Sequence, residues 1–167
     1  ENELICFSYR TGKEERNMGI FSDILLTADY DRTLTAPDST IPQRNLEAIR
    51  YFMENGGIFT VNTGRSIPMT KVFRDKIPVN APLLLYNGSA AYDRDKQEFT
   101  FATPIDLDMV DTLKKTMELF PDCAVELQGQ AAHYLFEENK GWAKYNWHNG
   151  CPFIFCDLSE APGPFLK

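Results

Sequence analysis

Three short apolar runs punctuate the first half of the chain: Ile24-Leu25-Leu26-Thr27-Ala28, Ile58-Phe59-Thr60-Val61-Asn62 and Leu83-Leu84-Leu85-Tyr86. Each is too short for a helix and lacks polar alternation, the pattern of a strand buried on both faces of a sheet. Between the first two, Leu46, Ile49 and Met53 recur at helical spacing. Thr40 and Gln43 have the spacing of a capping box, Pro42 suits the first helical turn, and Gly56-Gly57 marks the stop. A short helix over residues 68–76 is expected between the second and third runs. Strand, helix, strand, helix, strand predicts a parallel α/β sheet with helices on its faces.

The pattern then changes. Ala90-Ala91-Tyr92-Asp93, a polar turn at Arg94-Asp95-Lys96, and Phe99-Thr100-Phe101 read as an antiparallel hairpin. Val110, Leu113, Met117 and Phe120 mark an amphipathic helix. Strand-like stretches follow over 124–128, 131–136 and 153–156, with Gly129 between the first two. This half reads as an α+β unit, part of a second domain. Residues 8–17 are polar and read as a loop or mobile lead-in, and Met18 could be a native start. The expected division is a lead-in over 1–18, an α/β unit over 19–90 and an α+β unit over 91–167, with the boundary near 88–103.

Composition narrows the function classes. The chain has 167 residues and a net charge of −7 from 17 basic and 24 acidic side chains. A basic face for phosphate backbones is not to be expected from this balance, so nucleic acid is a poor partner. No run of apolar residues is long enough to span a bilayer. Cys6, Cys123, Cys151 and Cys156 form no C-x-x-C pair, and His133 and His148 add no zinc spacing. Reduced thiols are expected. With no visible signal segment, the expected compartment is the cytoplasm.

The chemistry collects at the strand ends. In open α/β sheets ligands bind beyond the carboxyl ends of the strands, and the three runs end in Asp29/Asp31, Thr63/Gly64/Arg65 and Asn87/Gly88. Side chains alternate along a strand, so Asp29 and Asp31 start out on one face. Two carboxylates so close disfavour each other's ionisation unless a cation intervenes. Mg²⁺, held by one or two carboxylates and a substrate phosphate, would remove the conflict. One carboxylate could then attack phosphorus while the other moves a proton. Thr63 offers a hydroxyl, Gly64 a close backbone approach for an anion, and Arg65 a fork of donors suited to phosphate.

These residues carry a family resemblance. The run 24–28 followed by Asp29-Tyr30-Asp31-Arg32-Thr33-Leu34 resembles the first motif of the haloacid dehalogenase superfamily, an apolar strand followed by D-x-D-x-T-L. Val61-Asn62-Thr63-Gly64-Arg65-Ser66 is similar to its second motif, in the T-G-R form of the Cof-type sugar-phosphate phosphatases. Leu85-Tyr86-Asn87-Gly88-Ser89-Ala90 resembles the N-G segment from which that subgroup enters its α/β cap. The resemblance covers residues 22–93. It implies a Rossmann-like parallel-sheet core and an α+β cap, both partial, and a Mg²⁺-dependent phosphohydrolase acting on a small phosphorylated metabolite. Asp29 would be the nucleophile that forms an aspartyl-phosphate, and a metal ligand. Asp31 would be the general acid and base, with its backbone carbonyl on Mg²⁺. Thr63 and Gly64 would hold the phosphoryl group, Thr33 would brace the loop, and Arg65 and Asn87 would face substrate.

The chain departs from the family pattern in two ways. Arg32 stands where glycine is usual, and is expected to point into solvent. The third-motif lysine and the acidic G-D-x-x-x-D motif do not follow residue 93; Asp157-Leu158-Ser159-Glu160 lacks the glycine and the spacing. Lys140, Lys144 and Lys167 read as cap-surface lysines. The expectation is therefore the N-terminal part of a longer protein, nearly inactive by itself. A phosphomutase-type phosphotransferase and a non-catalytic binding protein on the same scaffold are the alternatives. A cap would choose the substrate, and Tyr134, Trp142 and Trp147 could be core or substrate-facing.

Overall fold

A computed structural model describes residues 7–8, 19–106, 108–136, 139 and 151–167. The expectations for the rest of the lead-in, Cys6, Met18, Lys140, Trp142, Lys144, Trp147 and His148 lie outside these residues. The chain divides into two compact units. The first comprises Glu1–Gly64 and Phe73–Phe101; the second comprises Arg65–Val72 and Ala102–Lys167.

The first unit is built on a six-stranded sheet whose strands lie in sequence order. They are β1 (Phe7–Ser8), β2 (Ile24–Asp29), β3 (Ile58–Asn62), β4 (Leu83–Leu85), β5 (Ala90–Asp93) and β6 (Glu98–Ala102). β2, β3 and β4 are parallel, as the three apolar runs predict, and β5 turns back antiparallel on β4. Phe7 and Ser8, read from sequence as lead-in, pair antiparallel with Leu25 and Ile24 at the sheet edge. The hairpin expected to open the second unit instead extends this sheet. Its backbone groups complete the β4 ladder, and the first compact unit runs to Phe101.

β3 is the buried centre, with Phe59, Thr60 and Val61 all shielded. The Thr60 hydroxyl is affordable there because it donates to the carbonyl of Pro82 at 2.7 Å. Burying a side chain such as Phe59 or Leu85, both fully enclosed, contributes about 1.5–3 kcal/mol. Helix α1 (Gln43–Glu54) lies between β2 and β3 in the chain and buries Ile49. The capping box does not form. Thr40 turns back to Asp38, donating through its hydroxyl at 2.7 Å and its amide at 3.0 Å. Gln43 instead reaches Glu47. These local acceptors compete successfully with the helix end. Gly56, at φ +93°, ends the helix in the left-handed conformation. The helix expected over 68–76 is shorter, a 3-10 turn over Pro68–Val72.

The second unit packs helix α2 (Met109–Leu119) with a three-stranded sheet of β7 (Glu126–Gln128), β8 (His133–Phe136) and β9 (Phe153–Cys156). Asp108 caps α2 by accepting from the Asp111 amide at 3.2 Å. Leu113 and Met117 join Leu127, Tyr134, Phe136 and Leu158 in its core, whereas Phe120 stays exposed. Tyr134 is a core residue, edge-on to Phe165 at 5.9 Å. Cys123 and Cys151 are thiols. Among the described residues no helix is long and apolar enough to cross a membrane.

Candidate functional site

At the carboxyl ends of β2, β3 and β4, within the first unit, lies an open cleft of about 410 Å³. Asp29, Asn62, Thr63, Gly64, Leu84, Asn87 and Gly88 line it. The geometry follows from register. Asp29, the last residue of β2, pairs with Asn62, the last residue of β3, and Asn62 pairs with Leu84. Three apolar strands therefore run out of hydrophobic sequence at one level, and the polar residues that end them converge.

Backbone bonds hold the second and third strand ends together. The Thr63 amide donates to the Leu84 carbonyl at 2.9 Å, and the Thr63 carbonyl accepts from the Asn87 amide at 3.3 Å. This second bond requires a sharp turn after β4. Tyr86, Asn87 and Gly88 all have positive φ, at 54°, 60° and 95°. Left-handed backbone costs a non-glycine residue roughly 1–2 kcal/mol, a cost asparagine meets most easily. The fully buried Tyr86 ring offsets it at the other position. Strain of this kind persists where surrounding packing enforces it.

The turn after β2 is anchored at both ends and exposed between. Tyr30 is buried and stacks on Phe73 with ring centroids 4.2 Å apart. Leu34 is also buried, and its carbonyl accepts from the Asn45 side chain at 3.0 Å. Asp31, Arg32 and Thr33 project between these anchors. The brace is Thr35 rather than Thr33. The buried Thr35 hydroxyl donates to the Tyr30 carbonyl at 3.2 Å and accepts from the Arg32 amide at 3.0 Å. Arg32 is exposed at φ +61°, the left-handed conformation that favours glycine at this position.

Of the residues singled out from sequence, Asp29, Thr63, Gly64 and Asn87 meet in the cleft. Asp31 does not line it. β2 ends at Asp29, so the turn, and not strand alternation, sets where Asp31 lies. Arg65 belongs to the second compact unit. Gly88, named with Asn87 at the third strand end, also lines the cleft, whereas sequence reasoning passed over Asn62 and Leu84. Asn62 carried one usable signal, as the polar last residue of a buried strand beside Asp29's.

The second unit holds a buried polar cluster of a different kind. His133 Nε2 lies 2.7 Å from the Ser66 hydroxyl, and Nδ1 lies 3.6 Å from Glu126. Gln128 also donates to Glu126. Burial pushes the Glu126 carboxyl up, but hydrogen bonds from His133 and Gln128 and the charges of His133 and Lys167 hold it below its ordinary value. Burial raises the Cys151 thiol, partly opposed by a hydrogen bond from Ser66.

A family profile described as haloacid dehalogenase-like hydrolase matches residues 26–155. Over 71 residues the chain is 34% identical to phosphoglycolate phosphatase of Thermoplasma volcanium, a match covering 42% of this chain and 32% of that protein. Its fold resembles a haloacid dehalogenase-like hydrolase from Bacteroides thetaiotaomicron, with a TM-score of 0.65 at 17% identity over 87% of this chain and 56% of that one. It also resembles a haloacid dehalogenase subclass IIB sugar phosphatase, with a TM-score of 0.61 at 16% identity over 78% of this chain and 52% of that one. The chain thus spans about half the length of these solved structures, and at such identities the likeness concerns the fold. Together with the Cof-type form of its motifs, the profile match shows that the chain belongs to the haloacid dehalogenase-like hydrolase family.

Proposed function

We propose that the intact protein is a Mg²⁺-dependent phosphatase of small phosphate esters, working through an aspartyl-phosphate on Asp29. The observation that carries this reading is the meeting of Asp29, Thr63, Gly64 and Asn87 in one cleft at the carboxyl ends of three strands. In this reading an Asp29 carboxylate oxygen attacks phosphorus and the ester oxygen leaves, taking a proton from Asp31, which the exposed turn after β2 would bring to the cleft mouth. Asp31, now a carboxylate, removes a proton from water, which attacks the phosphorus and returns Asp29 and inorganic phosphate. The Thr63 hydroxyl donates to a phosphoryl oxygen while charge moves. Arg65 and Asn87 act on the substrate side.

Mg²⁺ fits the donors in kind. The Asp29 carboxylate and the Asp31 carbonyl are hard oxygen ligands. Among the described residues no group of three acidic, histidine or cysteine side chains could hold a metal, and neither the family's third-motif lysine nor its acidic motif has a match between residue 93 and Lys167. When bound, the ion would supply neutralising charge at the phosphoryl oxygens. In the absence of those groups, residues 1–167 are expected to turn over poorly.

Sugar phosphates and phosphoglycolate are the first substrates to try, since proteins with those activities resemble this chain. The test is Mg²⁺-dependent phosphate release by the intact protein, with and without a chelator, in wild type and Asp29→Asn. Turnover that ignores the chelator, or survives in Asp29→Asn, rejects the mechanism. Transfer of phosphate between positions of a bisphosphate-activated sugar would identify a mutase instead.

A further inference from the structure

The described residues include six asparagines: Asn45, Asn55, Asn62, Asn80, Asn87 and Asn139. Four of them spend their carboxamides on backbone. Asn45 donates to Leu34, Asn55 to Tyr51, Asn80 to Gly57 and Asn139 to Cys123, at 2.7–3.0 Å. Asn80 and Asn139 also accept from backbone amides. Asn62 and Asn87 make no side-chain hydrogen bond to any described residue, and both line the cleft beside Asp29. Asn87 has a backbone reason for its place, the positive φ of its turn. Asn62 has none, since it sits in extended strand, where asparagine is a poor choice.

Its register supplies a reason. Asn62 pairs with Asp29 across two parallel strands, and neighbouring strands lie about 4.8 Å apart. Residues in register leave a sheet on the same side. Asn62 thus presents two amide donors and one acceptor beside the Asp29 carboxylate, exposed to the cleft. We infer that Asn62 is a further substrate-contacting residue, whose carboxamide donates to an oxygen of the phosphoryl group held at Asp29. A neutral donor suits this position, because a second carboxylate so near Asp29 would repel both its partner and the phosphate.

The inference rests on the phosphatase reading, so its test runs Asp29→Asn in parallel. In the intact protein, Asn62→Ala is expected to lower kcat/KM roughly 10- to 100-fold, the size of a lost hydrogen bond to a charged group. Inhibition by inorganic phosphate, and its calorimetric binding to the metal-free protein, should weaken with it. Asn62→Asp, nearly isosteric, should do worse than Asn62→Ala in both measurements. Asn62 is exposed at a strand end, so thermal unfolding should hardly move. Wild-type kcat/KM and phosphate binding in both variants, alongside a dead Asp29→Asn, would overturn the role of Asn62 alone. Full turnover in Asp29→Asn would overturn the reading and the inference with it.

Discussion

The two units treat their polar strand residues in opposite ways. In the first, polar side chains gather at the ends of β2, β3 and β4, open to a cleft, and the carboxamides of Asn62 and Asn87 bond to no other described residue. In the second, Glu126, Gln128 and His133 lie along the strands themselves, and His133 is 3% exposed. They bond to one another and to a fully buried Ser66. Serine, histidine and glutamate in a row look at first like a hydrolytic triad. Ser66 Oγ, however, has no surface from which to reach a substrate. A polar cluster whose histidine and serine lie out of water specifies packing, while one that keeps donors facing a cleft is available for binding.

This contrast can be broken by experiment, and the largest effect belongs to the open site. Asp29→Asn should reduce phosphate release by at least about 1,000-fold, the usual scale for losing a nucleophile, with the urea midpoint unchanged. A smaller loss would mean that the cleft depends less on Asp29 than its position indicates. The closed cluster should show the reverse pattern. His133→Leu removes one partner each from Ser66 and Glu126, and should cost about 2–3 kcal/mol of stability in urea titrations, the price of buried groups left unpaired. If the midpoint stays put, the cluster is not a packing element.

The pH dependence sharpens the same point. The Glu126 carboxyl sits below its ordinary value of 4.5 in the folded protein. Its contribution is therefore present above that value and fades as the pH falls through the folded pKa. Glu126→Gln should lower stability most near neutral pH, and the gap to wild type should narrow on acidification below pH 4.5. A gap that widens in acid would reverse the assigned sign. The smallest effect is expected at Arg32. Arg32→Gly relieves a left-handed residue at φ +61° but frees the unfolded chain, for a net gain of about 0.5–1 kcal/mol by thermal unfolding. A loss there would show that the arginine side chain contributes more than its backbone costs.

Much of the first unit was legible because its signals are local. Apolar runs of strand length, a helical repeat closed by Gly56 and polar residues after each run need no tertiary information to read. The errors are also local, and instructive. Thr40 had an acceptor in Asp38 nearer than the helix end, so correct spacing did not produce a capping box. Thr33 and Thr35 both follow the two aspartates. Only the wide turn closed by the Thr35 amide on the Tyr30 carbonyl, at 3.1 Å, makes Thr35 the brace. The alternation over 90–102 marks a hairpin, but nothing in it says which strand the hairpin will pair with; only the β4–β5 ladder does.

By itself the sequence determined the class of fold, the succession of strands and helix from residue 24 to residue 86 and the types of residue placed at the strand ends. Those properties follow from periodicity and backbone preference, which act over a few residues. Tertiary structure alone decided which residues meet. Register set Asn62 against Asp29, although they lie on separate strands. Folding also brought Ser66 to His133 across 67 positions of chain. It drew Arg65–Val72 into the second unit, one residue after the cleft-lining Gly64. Such pairings depend on how whole elements bury their apolar faces and satisfy their backbone groups together, and no local pattern encodes that sum.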